Sequence, residues 1–259
     1  MVNIKLGPAG LGPVSEAFSN LEEIYNKGLQ ACETEFVRQI YIKKEDAIEI
    51  GKKAKELGIV LSIHAPYYVN LNSKEIEKVN ASKERILKCC EIGQYLGAKQ
   101  VVFHPGYYGD LSKEETFKNI KERITEMMEV IKKNKWDVEI CPETMGKVNV
   151  FGSIEDISNL AKETGCSFCI DFAHILARYK ENKFDEIEKF FPQKRWHCHF
   201  SGIEYGEKGE KKHLVTSEEN WKGLFNFLKN LDKEIVIINE SPRSLEDSVN
   251  GLKILNKMD

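Results

Sequence analysis

Six short apolar runs in this 259-residue chain end in a side chain able to hold a divalent cation. They are Leu61-Ser62-Ile63-His64, Val101-Val102-Phe103-His104, Val138-Glu139-Ile140-Cys141-Pro142-Glu143, Cys169-Ile170-Asp171 with His174 three residues on, Trp196-His197-Cys198-His199, and Val236-Ile237-Ile238-Asn239-Glu240. A single Asp-x-x-His pair carries little weight, because a lone histidine is most often a hydrogen-bonded core or loop residue. Six strand-like runs that all stop at ligand-type residues point instead to one shared site. Imidazole and carboxylate without clustered thiolate suit Zn²⁺, Mn²⁺ or Fe²⁺ rather than a Cys-based structural site. His213, after a lysine-rich stretch, joins His64, His104, Glu143, Asp171, His174, His199 and Glu240. These candidates exceed what one ion needs, so two or three ions are expected.

Ligands this far apart in sequence meet only if the elements carrying them open on a common rim. The chain reads as a repeated strand–helix unit: strands over residues 3–6, 35–42, 59–64, 100–104, 138–143, 167–171, 195–200 and 234–240. Helical patterns follow over 14–32, 44–57, 74–96, 113–133, 153–164, 221–231 and 245–258, with a less regular helical region at 176–190 and a lysine-rich loop at 202–213. Ser153 stands three residues before Asp156, the signature of a helix start. Eight such units in about 250 residues match the count and size of an α/β (β/α)₈ TIM barrel, here a single domain over 1–259. An open doubly wound sheet is disfavoured, because its ligands gather at one switch point between two strands. Alternation along the seventh strand predicts His197 one layer below an inward His199, with Trp196, Cys198 and Phe200 facing the helices. The same count puts Ser62 beneath His64 and Cys169 beneath Asp171.

Composition narrows the class. With 41% hydrophobic residues the chain can bury a full core, and a net charge of −3 provides no global basic field for nucleic acid. A nucleic-acid substrate would have to be held by local basic residues and metal charge. Residues 1–12 lack the layout of a signal peptide, and no run approaches a membrane span, so a cytoplasmic protein with no membrane or protein partner is expected. Seven cysteines, mostly inside apolar runs, fit a reducing compartment. Cys166-x-x-Cys169 lies within a predicted strand and has no second pair, so a redox or zinc pair is disfavoured.

These residues carry a resemblance. Ser62-Ile-His64-Ala-Pro-Tyr67, Phe103-His104-Pro-Gly106, Pro142-Glu143-Thr-Met-Gly146, Cys169-Ile-Asp171-Phe-Ala-His174, His199-Phe-Ser-Gly202, His213 and Glu240 resemble the endonuclease IV type of apurinic/apyrimidinic endonuclease. That family is a TIM-barrel enzyme with a trinuclear zinc site that incises double-stranded DNA 5′ to abasic sites. The resemblance implies that His64 and His104 hold one ion and that Glu143 bridges it to a second, completed by Asp171, His199 and Glu240. His174 and His213 would hold a third, and Glu143 and Glu240 would be the catalytic carboxylates. Tyr67, Arg38, Lys211 and Lys212 would meet the DNA.

The chain departs from the family at Lys211, where the family has an Asp two residues before the last histidine, and at Phe200-Ser201-Gly202 after His199. An ammonium beside a dication is electrostatically disfavoured. A one-residue change of loop path would bring Glu210 to the third ion in its place; the alternative is an exposed loop glutamate. Two rival readings stand beside the nuclease. A sugar isomerase or epimerase of the related xylose-isomerase-like barrels needs only the Glu143, Asp171, His199, Glu240 set. A non-catalytic barrel binding damaged DNA or a partner would not need the full set of ligands.

Overall fold

Parallel strands cannot be joined by tight turns, so each needs a crossover, and this chain supplies helices for that purpose. A computed structural model of the protein describes residues 3–258. Strands β1 (Asn3–Pro8), β2 (Ala31–Glu35), β3 (Val60–His64), β4 (Gln100–Phe103), β5 (Glu139–Pro142), β6 (Cys169–Asp171) and β7 (Arg195–Phe200) alternate with helices. The helices are α1 (Ala17–Asn26), α2 (Lys44–Glu56), α3 (Ile76–Leu96), α4 (Lys113–Asn134), α5 (Ile154–Thr164), α6 (Phe172–Tyr179) and α7 (Phe184–Phe190). A hairpin of β8 (Gly202–Gly206) and β9 (Gly209–Leu214) follows β7, then α8 (Glu218–Leu228), β10 (Glu234–Asn239) and α9 (Ser244–Met258).

The strands pair in parallel as two four-stranded sheets, β1-β10-β7-β6 and β2-β3-β4-β5. Single parallel bridges, Ala9 with Glu33 and Glu143 with Cys169, join the two sheets at both seams. The ring order β1-β2-β3-β4-β5-β6-β7-β10 is that of a single-domain TIM barrel. The main apolar core lies between the barrel wall and its helices, where Trp196 packs on Phe227 and Phe200 on Trp221, as the strand parity predicts. Val102, Cys141 and Cys169 form a separate small cluster. Ser112 with Glu115 and Ser153 with Asp156 close reciprocal capping boxes at the starts of α4 and α5.

Four expectations change. Helix α1 stops at Asn26, and the second strand is Ala31–Glu35 rather than 35–42. Two glutamates in that strand mask its apolar signal, while Phe36 and Ile42 of the following loop are buried and imitate a strand. The irregular region 176–190 is two helices, the first starting directly after Asp171, whose carboxylate accepts the His174 backbone N–H at 2.7 Å. The stretch 202–213 is a hairpin, not an open loop. All seven cysteines are buried and free, and no helix of the described residues is long and apolar enough to cross a membrane.

Barrel closure depends on a close approach at β1. A Cβ on Gly7 would lie 1.7 Å from the Ala31 carbonyl oxygen, so β1 and β2 can meet only with glycine there. Gly7→Ala is therefore expected to cost about 1–3 kcal/mol. Gly223→Ala, on α8 with nothing within 4 Å, is expected to gain roughly 0.5–1 kcal/mol from helix propensity. Urea denaturation of the two variants checks the pair, and equal midpoints would contradict a closure that depends on Gly7.

Candidate metal centre

Eight side chains meet at the carboxyl ends of the strands and in the loops after them. His64 ends β3; His104 and Glu143 follow β4 and β5; Asp171 ends β6; His199 lies near the end of β7; Glu240 follows β10. His174 comes from the first turn of α6 and His213 from β9. They form three overlapping groups, His64–His104–Glu143, Glu143–Asp171–His199–Glu240 and Asp171–His174–His213, each with ligand atoms within 4.8 Å of one another. Glu143 belongs to the first two groups and Asp171 to the last two.

Spacing tests whether ions fit. Ligand atoms around a tetrahedral zinc with bonds of 2.0–2.1 Å stand about 3.3 Å apart. Here Glu143 Oε2 is 3.4 Å from His64 Nε2 and 3.1 Å from His104 Nε2, while Glu143 Oε1 and Glu240 Oε1 are each 3.2 Å from His199 Nδ1. Glu143 Oε2 and Asp171 Oδ2 are buried without a hydrogen-bond partner. An unpaired buried carboxylate oxygen is costly unless a cation meets it. The rings are set for ligation as well. Nδ1 of His64 lies 2.8 Å from the Ala65 carbonyl and Nδ1 of His174 3.0 Å from the Thr144 carbonyl. Donation there leaves Nε2 bare on both rings. The residues present fit divalent ions.

Electrostatics agrees. Burial pushes the Glu143 carboxyl up, but His199 and His104 outweigh it and hold it well below the usual range. Glu240 is likewise disfavoured by burial yet drawn down to about 2 by His199. Burial opposes charge on His64, and Glu143 overrides it to raise that imidazole to about 9. Asp171 goes the other way: burial pushes it well above the ordinary value and His174 only partly offsets this.

The hairpin β8–β9 places Glu210 at this centre. Its pairing runs Ile203 with His213, Glu204 with Lys212, then Tyr205 with Glu210, so Lys211 is the extra residue of a β-bulge. The bulge resets the alternation and puts Glu210 on the face of His213. Glu210 Oε2 lies 3.4 Å from His174 Nε2, and Lys211 and Lys212 turn outward to Glu204 at 3.5 and 3.2 Å. The hairpin tip docks on the β5–α5 loop through Gly209, whose φ is +98° and whose added Cβ would stand 2.1 Å from the Gly146 carbonyl oxygen.

Tyr67 is 48% exposed, with its ring centre 5.4 Å from that of His64 and 5.6 Å from that of His104. Arg38 is exposed in the loop after β2. Two residues escaped the sequence reading, Glu33 and Glu35 of β2. Glu33 is fully buried and contacts Ser62, His197 and His199. Glu35, opposite His64 in the β2–β3 register, is held above the usual carboxylate range by burial and by Glu240. The signal for both was the Glu-Thr-Glu alternation, which puts two carboxylates on one face of a strand.

Comparison with known proteins places the chain. A family model for the xylose isomerase-like TIM barrel matches residues 21–258. An uncharacterized protein of Methanocaldococcus jannaschii is 37% identical over 97% of both chains. A probable endonuclease 4 of Mycoplasmopsis agalactiae is 30% identical over 69% of this chain, and the match spans 64% of that relative's length. Among solved structures, a D-tagatose 3-epimerase-like protein superposes with a TM-score of 0.74 at 21% identity, covering 98% of this chain and 96% of its own. Endonuclease IV from Thermus thermophilus superposes with a TM-score of 0.69 at 19% identity, covering 98% of both. At those identities the structures attest the fold alone. With its strand order and a match over nearly the whole chain, the protein belongs to the xylose isomerase-like TIM barrel family.

Proposed function

We propose that the protein is a zinc-dependent endonuclease of the endonuclease IV type, hydrolysing the phosphodiester 5′ to abasic sites in double-stranded DNA. The observation that carries this reading is the surplus of ligands. A sugar epimerase of this family is served by the Glu143–Asp171–His199–Glu240 quartet alone, whereas here two further groups share Glu143 and Asp171 with it. The likeness to a probable endonuclease 4 supports the same reading.

The three groups would hold divalent ions, which would supply Lewis-acid charge for an in-line displacement at phosphorus, lowering the pKa of the attacking water and neutralising the leaving 3′-oxygen. The chain's residues set the geometry. Glu143 and Asp171, each belonging to two groups, fix the spacing between ion positions, and Glu240 closes the second group beside His213, whose Nδ1 is 3.9 Å away. Tyr67 stands at the mouth, where its exposed ring can enter the gap left by a missing base. Arg38, Lys211 and Lys212, exposed around the rim, supply phosphate contacts that position the duplex. Glu210 completes the third group with His174 and His213, while the bulge turns the Lys211 ammonium away from it.

Metal-loaded protein is expected to nick a duplex bearing a synthetic abasic site and leave a 3′-hydroxyl, with His104→Ala slowing cleavage by more than about 100-fold. Interconversion of a ketose without any nicking would favour the epimerase reading instead. For the hairpin, Glu210→Gln is expected to lose about one ion per chain and roughly 10- to 100-fold in cleavage rate, while Lys211→Ala keeps its ions. Elemental analysis beside the nicking assay decides, and an unaffected Glu210→Gln would remove that residue from the site.

A further inference from the structure

Beneath the centre lies a carboxylate that the ligand set does not use. Glu33 projects from β2 into the barrel with no exposed surface. Its Oε2 accepts the Ser62 hydroxyl at 2.6 Å and lies 3.1 Å from His197 Nε2. Its Oε1 lies 2.9 Å from His199 Nε2, and both atoms are buried with no aligned hydrogen-bond partner in the metal-free arrangement. His199 is turned opposite to His64, which holds Nδ1 against the Ala65 carbonyl and turns Nε2 to Glu143. His199 instead points Nδ1 at Glu143 and Glu240, 3.2 Å from each, so an ion held between those carboxylates would take Nδ1 and leave the ring's one proton on Nε2, toward Glu33.

We propose that Glu33 is the positioning residue of the second ion group: a buried carboxylate that takes the Nε2 proton of His199 in a hydrogen bond, fixes that ring's tautomer and presents Nδ1 to the ion. The inference rests on the metal reading above. An anionic partner does more than a carbonyl, because it makes the imidazole a stronger donor as well as orienting it. Ser62 and His197 hold the carboxylate from below, so that its charge is not left bare in the lumen. Cys169 also lies near His197 and His199, with all three donors within 4.8 Å.

The test compares wild-type protein with Glu33→Gln, which keeps the side chain's size and removes its charge. Both are titrated with Co²⁺ while the visible absorption is followed, and bound ions are counted by elemental analysis. Glu33→Gln is expected to bind one ion roughly 10- to 100-fold more weakly, with an altered Co²⁺ spectrum and the other ions retained. Equal affinities and spectra would overturn the proposal, as would a fall in thermal stability with metal binding unchanged. Wild-type protein that takes up no ion would instead defeat the metal reading itself. If the variant does not fold, nitrogen chemical shifts of the zinc-loaded wild type decide. His199 is expected to carry its proton on Nε2 while His64 and His174 carry theirs on Nδ1, and an Nδ1 proton on His199 would overturn the proposal.

Discussion

Buried negative charge is the constraint on which this structure depends. Glu33, Glu143 and Asp171 have no solvent exposure, and Glu240 lies only partly open beside them. Carboxylates brought so close cannot all stay ionised unless cations share the space. Imidazoles provide some of that charge: His199 touches Glu33, Glu143 and Glu240, and His174 touches Glu143, Asp171 and Glu210. Burial holds Asp171 well above the usual carboxylate range, and His174 only partly offsets it. Divalent ions would add positive charge at the shared carboxylates, and the spacing between donors suits them.

The barrel makes such a concentration of charge tolerable because its wall is built elsewhere. Aromatic and branched residues pack outside the strands against the helices, so the lumen need not supply the apolar core. Each strand then contributes alternate residues to an interior of stacked polar layers, with Ser62, Cys169 and His197 under His64, Asp171 and His199. Gly7 lets β1 close on β2, and that closure brings Glu33 beneath His199. The hairpin after β7 adds one more face to the rim. A single bulged residue, Lys211, exchanges which neighbour looks inward, so the acidic side chain of Glu210 reaches His174 while the adjacent lysine turns out.

Much of this was legible in the sequence, for a physical reason. A buried parallel strand is an apolar run, and a ligand at its carboxyl end breaks the run, so β3 to β7 and β10 announce both themselves and the rim. The structure brings His64, His104, Glu143, Asp171, His174, His199, His213 and Glu240 together as the strand count implied. β2 was misplaced because its inward residues are glutamates: Ala31-Cys32-Glu33-Thr34-Glu35 has no apolar run to see, and the loop after it does. Glu33 was lost with it. Glu210 was visible only as an argument from charge, since the repulsion between Lys211 and an ion says that something must move but not that a bulge moves it.

Anomalous scattering at the zinc edge, from crystals grown with zinc, tests the central claim most directly. Three peaks are expected: one at His64, His104 and Glu143; one at Glu143, Asp171, His199 and Glu240; and one at Asp171, His174, His213 and Glu210. A single peak at the second position, with His64 and His104 unliganded, would contradict the shared-carboxylate centre and leave an epimerase-type site.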